Sequence, residues 1–128
     1  MSRKVLSVID TAYRACQEEQ DDAGLWFSAA VNNAGVDMTI LLTGNAVNYA
    51  VQGHATSPLS VGGGVVAHPF DPGQDIERLT GKGISFFLIR EDAEERGIDS
   101  DELINAVEAI PRSQLAKLVD SHDAIWHW

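Results

Sequence analysis

The hydrophobic pattern of the chain alternates short apolar runs with amphipathic or turn-rich stretches. The strongest run covers residues 84–89, in which Ser85 is the one polar member among two Phe, one Leu and two Ile. So short a run without polar alternation is typical of a strand that is covered on both faces. We interpret it as the central strand of a parallel sheet. Charged residues, Arg90, Glu91 and Asp92, follow it directly.

Other segments fit strands and helices around that run. Further strands are predicted at residues 4–9, 37–43 and 124–128. Helices are predicted from a cap at Asp21 or Asp22 to Ala34, at residues 46–51, 75–79 and 92–95, from Asp99 to Ile110, and at 112–120. The helix at 99–110 is based on Asp99 and Glu102, which have capping-box spacing. This alternation predicts an α/β fold: a three-layer sandwich with a mostly parallel central sheet, of the flavodoxin-like kind.

Residues 53–74 form the unusual part of what we expect to be a single domain spanning residues 1–128. The stretch holds five Gly, three Pro and two His in 22 residues. Loops of this length in small domains usually serve as a functional cover or as an interface arm. A short edge strand or ribbon is expected at residues 61–67. Gly62 to Gly64 resemble a phosphate loop in composition alone, and flexibility or a tight turn is the favoured interpretation.

The helix before Gly35 carries more apolar residues than one buried stripe needs. They are Leu25, Trp26, Phe27, Ala29, Ala30, Val31 and Ala34. One stripe would face the sheet, and the surplus indicates a second contact. Two interpretations remain open, which are another subunit and burial under the long loop.

Composition limits the classes of function. The 128 residues carry 19 acidic and 9 basic side chains, a formal charge of -10, which disfavours binding to nucleic acid and to anionic membranes. No apolar run approaches membrane-spanning length, and the N-terminus lacks a signal-peptide pattern, so a cytoplasmic location is expected. The single cysteine, Cys16, excludes an intrachain disulfide and a multi-thiolate zinc site.

Four stretches resemble the DsrE/DsrF/DsrH-like proteins, whose relatives include the Tus sulfur-relay subunits. They are LLTGNAVNYAVQG at 41–53, GISFFLIREDAEERGI at 83–98, SQLAKLVDSHD at 113–123, and the closing strand with Trp126 and Trp128. The D-x-x-x-R-G pattern of Asp92, Arg96 and Gly97, with a terminal tryptophan, is most similar to the DsrH/TusB branch.

The resemblance implies a three-layer α/β fold, assembly into trimers or hexamers or with related subunits, and persulfide transfer by a cysteine after the central strand. This chain has Ile89, Arg90 and Glu91 at that place, and none of them can hold a persulfide. The cysteine that DsrH-like proteins often carry in the first helix falls near Ser28. The resemblance therefore favours a binding or scaffold subunit in sulfur trafficking without the transfer thiol.

A second interpretation is a small-molecule-binding or enzymatic domain. Arg90, Glu91, Asp92 and Arg96, with Asn45 after the second predicted strand, are candidate ligand-binding residues, because parallel strands present such sites at their carboxyl ends. The competing structural interpretation is a solvated helix start in which Asp92 and Arg96 form an i,i+4 ion pair. No cofactor is predicted.

The remaining candidates have ordinary structural interpretations. Cys16 is a candidate reactive thiol, but four nearby carboxylates oppose thiolate formation, and a structural thiol is favoured. The four histidines are too scattered to predict a metal site, although His68 and Asp71 are a close pair. Trp126 and Trp128 alternate with His127, which places both indoles on one face as core or subunit contacts.

Overall fold

The computed structural model describes residues 3–12, 22–53, 59–66 and 71–128, and strands alternate with helices along these ranges. The strands are β1 (Lys4–Ile9), β2 (Asp37–Leu42), β3 (Leu59–Val61), β4 (Gly64–Val66), β5 (Ser85–Ile89), β6 (Val107–Ile110) and β7 (Ala124–His127). The α-helices are α1 (Ala23–Asn33), α2 (Pro72–Gly81), α3 (Arg90–Glu95) and α4 (Leu115–Asp120). Short 3-10 helices cover Gly44–Ala50, Ser100–Glu102 and Arg112–Gln114. Within the described ranges, none of the helices has the length and apolar character needed to cross a bilayer.

The main sheet has the strand order β6-β5-β2-β1-β7. Every neighbouring pair in it is parallel. The last residues of adjacent strands lie opposite each other or are offset by one residue, with Ile9 opposite Leu42, Ile89 opposite Ile110 and Leu42 opposite Leu88. Parallel pairing brings all five carboxyl ends to one edge of the sheet, so the residues that follow the strands lie along a common line.

Helices cover both faces of this sheet, which confirms the predicted three-layer α/β fold of the flavodoxin-like or DsrE-like kind. One hydrophobic cluster contains Val5, Ile9, Met38, Ile40, Leu42, Phe86 and Leu88, together with residues of α1, α2 and the 3-10 helix at Gly44–Ala50. A smaller cluster on the opposite face contains Leu6, Leu41, Ile89 and Ile110, packed against Leu115, Leu118 and Val119. Alternate residues of each strand therefore enter alternate cores.

The strand predicted at residues 84–89 forms as β5, but its predicted place at the centre of the sheet is wrong. β5 lies second from one edge, between β2 and β6, and β2 is the middle strand. A continuous apolar run reports burial on both faces, and every interior strand of a parallel sheet satisfies that condition. β2 has the same signature, with five consecutive buried residues after Asp37.

The first helix begins where its acidic cap predicts. Asp22 Oδ1 accepts hydrogen bonds from the backbone N–H groups of Gly24 and Leu25 at 2.8 and 3.3 Å. The other carboxylate oxygen of Asp22 accepts the hydroxyl of Tyr49 at 2.6 Å, and both residues are fully buried. The cap therefore also fixes α1 to the 3-10 helix that follows β2.

The predicted helix from Asp99 to Ile110 is wrong. Its capping box forms, but it supports a single 3-10 turn, Ser100–Glu102, and the chain then enters β6. β6 pairs with β5 and completes the hydrogen bonds of its second side. Val107 and Ile110 are each 7% exposed and enter different hydrophobic clusters. The free energy gained from strand pairing and from burial on both faces of β6 exceeds the local preference of this segment for a helix.

The segment at residues 53–74 is partly described. The sequence predicts a ribbon at residues 61–67; β3 and β4 form an antiparallel two-stranded ribbon that begins at Leu59, with Gly62 and Gly63 at positive φ in its turn, and residue 67 lies outside the described ranges. α2 begins at Pro72, inside the predicted loop, because Asp71 caps it and accepts the Gln74 N–H at 3.1 Å. His54 and His68 lie outside the described residues.

Candidate functional site

Polar side chains line the carboxyl edge of the sheet where β2, β5 and β6 end. We call this group the carboxyl-edge clamp and define it as Asn45, Glu91, Asp92, Arg96 and Arg112. The first four of these were candidate ligand residues in the sequence. The clamp joins three neighbouring strand exits through hydrogen bonds of charged side chains with backbone groups, with the Asn45 amide and, for Asp92 and Arg112, with each other.

Asp92 is the centre of the clamp. Its Oδ2 accepts the backbone N–H of Gly44 at 2.9 Å, and its Oδ1 forms an ion pair with the Arg112 guanidinium. The Asp92 side chain is 14% exposed. The alternative prediction, an ion pair between Asp92 and Arg96, is therefore wrong. The Asp92 carboxylate pairs with Arg112, which follows β6.

Arg96 connects α3 to the turn after β2. Its Nε and Nη2 donate to Asn45 Oδ1 at 3.1 and 3.0 Å, and its Nη1 donates to the Asp92 carbonyl at 3.0 Å. The structure thus brings Asn45 and Arg96 together, 51 residues apart in sequence. These bonds use the planar fork of the guanidinium for internal contacts.

Glu91 binds the backbone after Pro111. Its two carboxylate oxygens lie 2.9 and 3.1 Å from the Arg112 backbone nitrogen, which donates to them. This hydrogen bond lowers the pKa of Glu91, and its own backbone N–H and the positive charges of Arg112 and Arg90 act in the same direction. Glu91 therefore favours its charged form and fixes the start of the Arg112–Gln114 turn.

Arg90 does not take part in the clamp. Among the described residues, its one hydrogen bond runs from Nη2 to the Ala109 carbonyl at 3.4 Å, and the residue is exposed. It lines a cavity of about 330 Å³ between α3, the turn before β6 and β6 itself. Arg90 is therefore the candidate ligand residue that lines this cavity and is accessible to solvent.

A larger cavity of about 540 Å³ lies beside α2. Carboxamide and acidic side chains line it, including Gln52, Gln74, Glu77 and Asn105. It shares no lining residue with the cavity at Arg90. This larger cavity is therefore separate from the cavity that is lined by Arg90 after β5.

Sequence reasoning missed two members of the carboxyl edge, Gly44 and Arg112. Gly44 has a positive φ of 53°, and a Cβ at this position would lie 3.3 Å from the Asp10 carbonyl oxygen. Glycine thus favours the positive φ of this turn and leaves room for the backbone at Asp10, which follows β1. The signal for Arg112 is that it follows Pro111 at the end of β6, which is visible only when residues 107–110 are recognised as a strand.

A second polar contact lies at the same edge, between β1 and β7. His127 Nε2 lies 2.9 Å from Asp10 Oδ2, and both side chains are substantially exposed. The hydroxyl of Thr11 donates to Asp10 Oδ1 at 3.1 Å. Among residues 3–12, 22–53, 59–66 and 71–128, no three His, Cys, Asp or Glu side chains cluster closely enough to hold a metal ion.

Ser28, the residue near which the resemblance places the thiol of DsrH-like proteins, is buried. Ser28 is fully buried in α1, and its hydroxyl donates to Ser7 Oγ at 3.0 Å. Trp128 Nε1 donates to the same Ser7 oxygen at 2.8 Å. Cys16 lies outside the described residues.

Aromatic rings line the outer side of α1 and the edge strand β7. Trp126 on β7 and Trp128 directly after it lie on the same side, as predicted, with ring centroids 5.7 and 5.5 Å from that of Phe27. Phe27 remains 40% exposed, and the neighbouring Trp26 is 60% exposed. The surplus of apolar residues in α1 therefore reaches the protein surface among the described residues.

Comparison with known proteins identifies the fold and leaves the family open. No family model and no curated protein matches the sequence. The crystal structure of the ychN protein from E. coli is similar with a TM-score of 0.74 and 22% identity over 100% of both chains. MTH1491, a protein of unknown function from Methanobacterium thermoautotrophicum, is similar with a TM-score of 0.61 and 16% identity over 98% of this chain and 99% of its own.

Proposed function

We propose that this protein is a DsrE/DsrF/DsrH-like subunit, close to the DsrH/TusB branch, that serves cytoplasmic sulfur trafficking as a non-catalytic binding or scaffold protein. The observation that carries the proposal is the carboxyl-edge clamp. At the exit of β5, where the resemblance expects a transfer thiol, Glu91 and Asp92 bind Arg112 and the Gly44 backbone. The position at which persulfide transfer would be expected is therefore occupied by side chains that join the ends of three strands.

Assembly into a trimer, a hexamer or a complex with related subunits is part of this proposal. The exposed Trp26 and Phe27 of α1 support it, since aromatic side chains are enriched at subunit interfaces and depleted among exposed surface residues. Exposed aromatic surface of this kind is stabilised when a partner covers it.

Two measurements test the scaffold proposal. Light scattering after size exclusion is expected to give a mass at least twice that of the 13.8 kDa protomer for the protein alone, or the summed mass of the complex after mixing with a related subunit. In a persulfide-transfer assay, the protein and its Cys16→Ser variant are expected to be equally inactive as donors. Loading of a persulfide on Cys16, with transfer that the Cys16→Ser variant abolishes, would show that the subunit is catalytic.

A second candidate function is the binding of a small molecule at Arg90. The cavity of about 330 Å³ at the exit of β5 supports it, because ligand sites in open parallel sheets lie just beyond the carboxyl ends of the strands. Of the proposed ligand residues, Arg90 alone lines that cavity. The other four, Asn45, Glu91, Asp92 and Arg96, form the contacts of the carboxyl-edge clamp. Thermal melting in the presence of candidate ligands tests this function directly.

A further inference from the structure

The cavity at Arg90 carries opposite charges that do not pair with each other. Arg90 and Glu94 are one helical turn apart on α3, at i and i+4, and both line the cavity. Among the described residues, neither side chain forms a salt bridge. An arginine that precedes a glutamate by four residues is the less favourable order for such a pair, and exposed pairs of this kind contribute little. Both charges are thus available to a ligand at little energetic cost.

Four of the other lining residues are apolar, and Asp99 and Ser100 are polar. Ala93 and Leu103 are buried at 3% and 7% exposure, and Ile98 and Ala109 are partly buried beside them. These side chains form an apolar floor below the two charged groups. A volume of about 330 Å³ is at the small end of ligand sites, which suits a compact molecule.

We propose that this cavity binds a small zwitterion with an aliphatic side chain, that is, a free aliphatic α-amino acid. Its carboxylate would meet the Arg90 guanidinium, its ammonium would meet Glu94, and its side chain would cover the floor at Leu103. This inference rests on the second candidate function and specifies its ligand.

The charges of the lining favour a zwitterion over simpler ions. A simple carboxylic acid would bring its charge close to Glu94 and Asp99, which also lines the cavity, and would leave their repulsion uncompensated. A simple amine could meet Glu94 or Asp99 but would leave Arg90 without a counter-charge. A ligand that carries both charges pairs with Arg90 and Glu94 together. A ligand that lacks its carboxylate or its ammonium leaves one of these two side chains without an oppositely charged partner.

Calorimetric titration with three probes tests the inference. The probes are L-leucine, 4-methylpentanoate, which lacks the ammonium, and 3-methylbutylamine, which lacks the carboxylate. L-leucine is expected to bind at least about tenfold more tightly than either of the others, since one charge-assisted hydrogen bond separates them. Saturable binding of leucine that is no tighter than that of 4-methylpentanoate would overturn the zwitterion while leaving a small-molecule site in place. Absence of leucine binding up to about 10 mM would overturn the inference as well, because a dissociation constant above that concentration is weaker than a specific site of this kind would have.

Variants assign the two charges to the two side chains. Arg90→Gln is expected to remove leucine binding, and Glu94→Gln is expected to bring leucine and 4-methylpentanoate to within about twofold, since the ammonium then has no charged partner. Arg78→Gln is the matched control, because Arg78 is an exposed arginine, 51% accessible, on α2. Both test residues are exposed, so circular dichroism and the melting temperature should stay unchanged. Equal leucine binding by Arg90→Gln and Arg78→Gln would overturn the assignment, whatever the oligomeric state of the protein.

Discussion

The backbone N–H of Gly44 donates to Asp92 Oδ2 at 2.9 Å, which joins the turn after β2 to the helix after β5. The same carboxylate binds Arg112 after β6. One acidic side chain therefore connects the exits of three neighbouring strands. Apart from Arg90, the candidate ligand residues predicted from the sequence all belong to the carboxyl-edge clamp.

Asp92→Ala is expected to lower the free energy of unfolding by about 1 to 3 kcal/mol, because it leaves the Gly44 N–H and the Arg112 guanidinium without their acceptor. Urea denaturation measures the change. Glu95→Ala is the control on the same helix, since Glu95 is 66% exposed and its nearest cation is 3.9 Å away. That variant is expected to stay within about 0.5 kcal/mol of the parent. Unchanged stability of Asp92→Ala, together with loss of ligand binding, would identify Asp92 as a ligand residue.

Glu91→Gln is expected to destabilise the protein at pH 7, with a loss that shrinks under acidic conditions. The hydrogen bond from the Arg112 backbone lowers the folded-state pKa of Glu91 below its ordinary value of 4.5. A lowered carboxyl pKa adds stability above the unfolded pKa, and this stability is lost as the pH falls through the folded pKa. The difference between the urea midpoints of parent and variant should therefore narrow below pH 4.5.

The control for this pH dependence is Glu108→Gln on β6. The side chain of Glu108 is exposed, and among the described residues it forms no contact that joins two strand ends. Its difference from the parent should be small at both pH values. A midpoint difference for Glu91→Gln that is the same at pH 7 and at about pH 3 would show that shape, and not the charge of the carboxylate, is what stabilises the turn.

Local patterns were sufficient to predict most elements of the fold. The run before Arg90 and the acidic cap at Asp22 each produced the predicted strand or helix. The error at residues 99–110 has a physical cause. Val107 and Ile110 are spaced for a helix face as well as for a short strand, and only the unpaired side of β5 decides between the two.

The same cause limited what could be predicted for the candidate site. Asn45, Glu91, Asp92 and Arg96 were selected because they follow strands, and the structure places them at one edge. Their partner Arg112 was missed because β6 was interpreted as helix. The separation of Arg90 from the clamp depends on the direction of individual side chains, which sequence spacing does not specify.

Ser28→Cys in a Cys16→Ser background places one thiol where the DsrH-like resemblance expects it. Ser28 is fully buried, so the introduced thiol is expected to react with a disulfide reagent at least about a hundredfold more slowly than in urea, through opening of α1. Absorbance of the released thiolate measures the rate. Rapid reaction in the native state would show that α1 is accessible at Ser28 and would reopen a catalytic role for that position.

Trp26→Ser is expected to weaken the proposed assembly while leaving the protomer folded. Trp26 is 60% exposed, so the folded protomer loses little by the change, whereas an interface that covers the indole would lose an aromatic anchor. Light scattering across a dilution series should show dissociation at a concentration at least about tenfold higher than for the parent.

The matched control for Trp26→Ser is Ile125→Ser, because Ile125 is an exposed apolar residue, 42% accessible, on β7. Its side chain lies on the opposite face of the sheet from Trp126, since neighbouring residues of a strand alternate. If α1 forms the interface, only Trp26→Ser shifts the dissociation. If Ile125→Ser shifts it instead, the partner covers the sheet face on which α4 packs, and the apolar surplus of α1 has another role. A parent protein that stays monomeric alone and with related subunits would contradict the scaffold function itself.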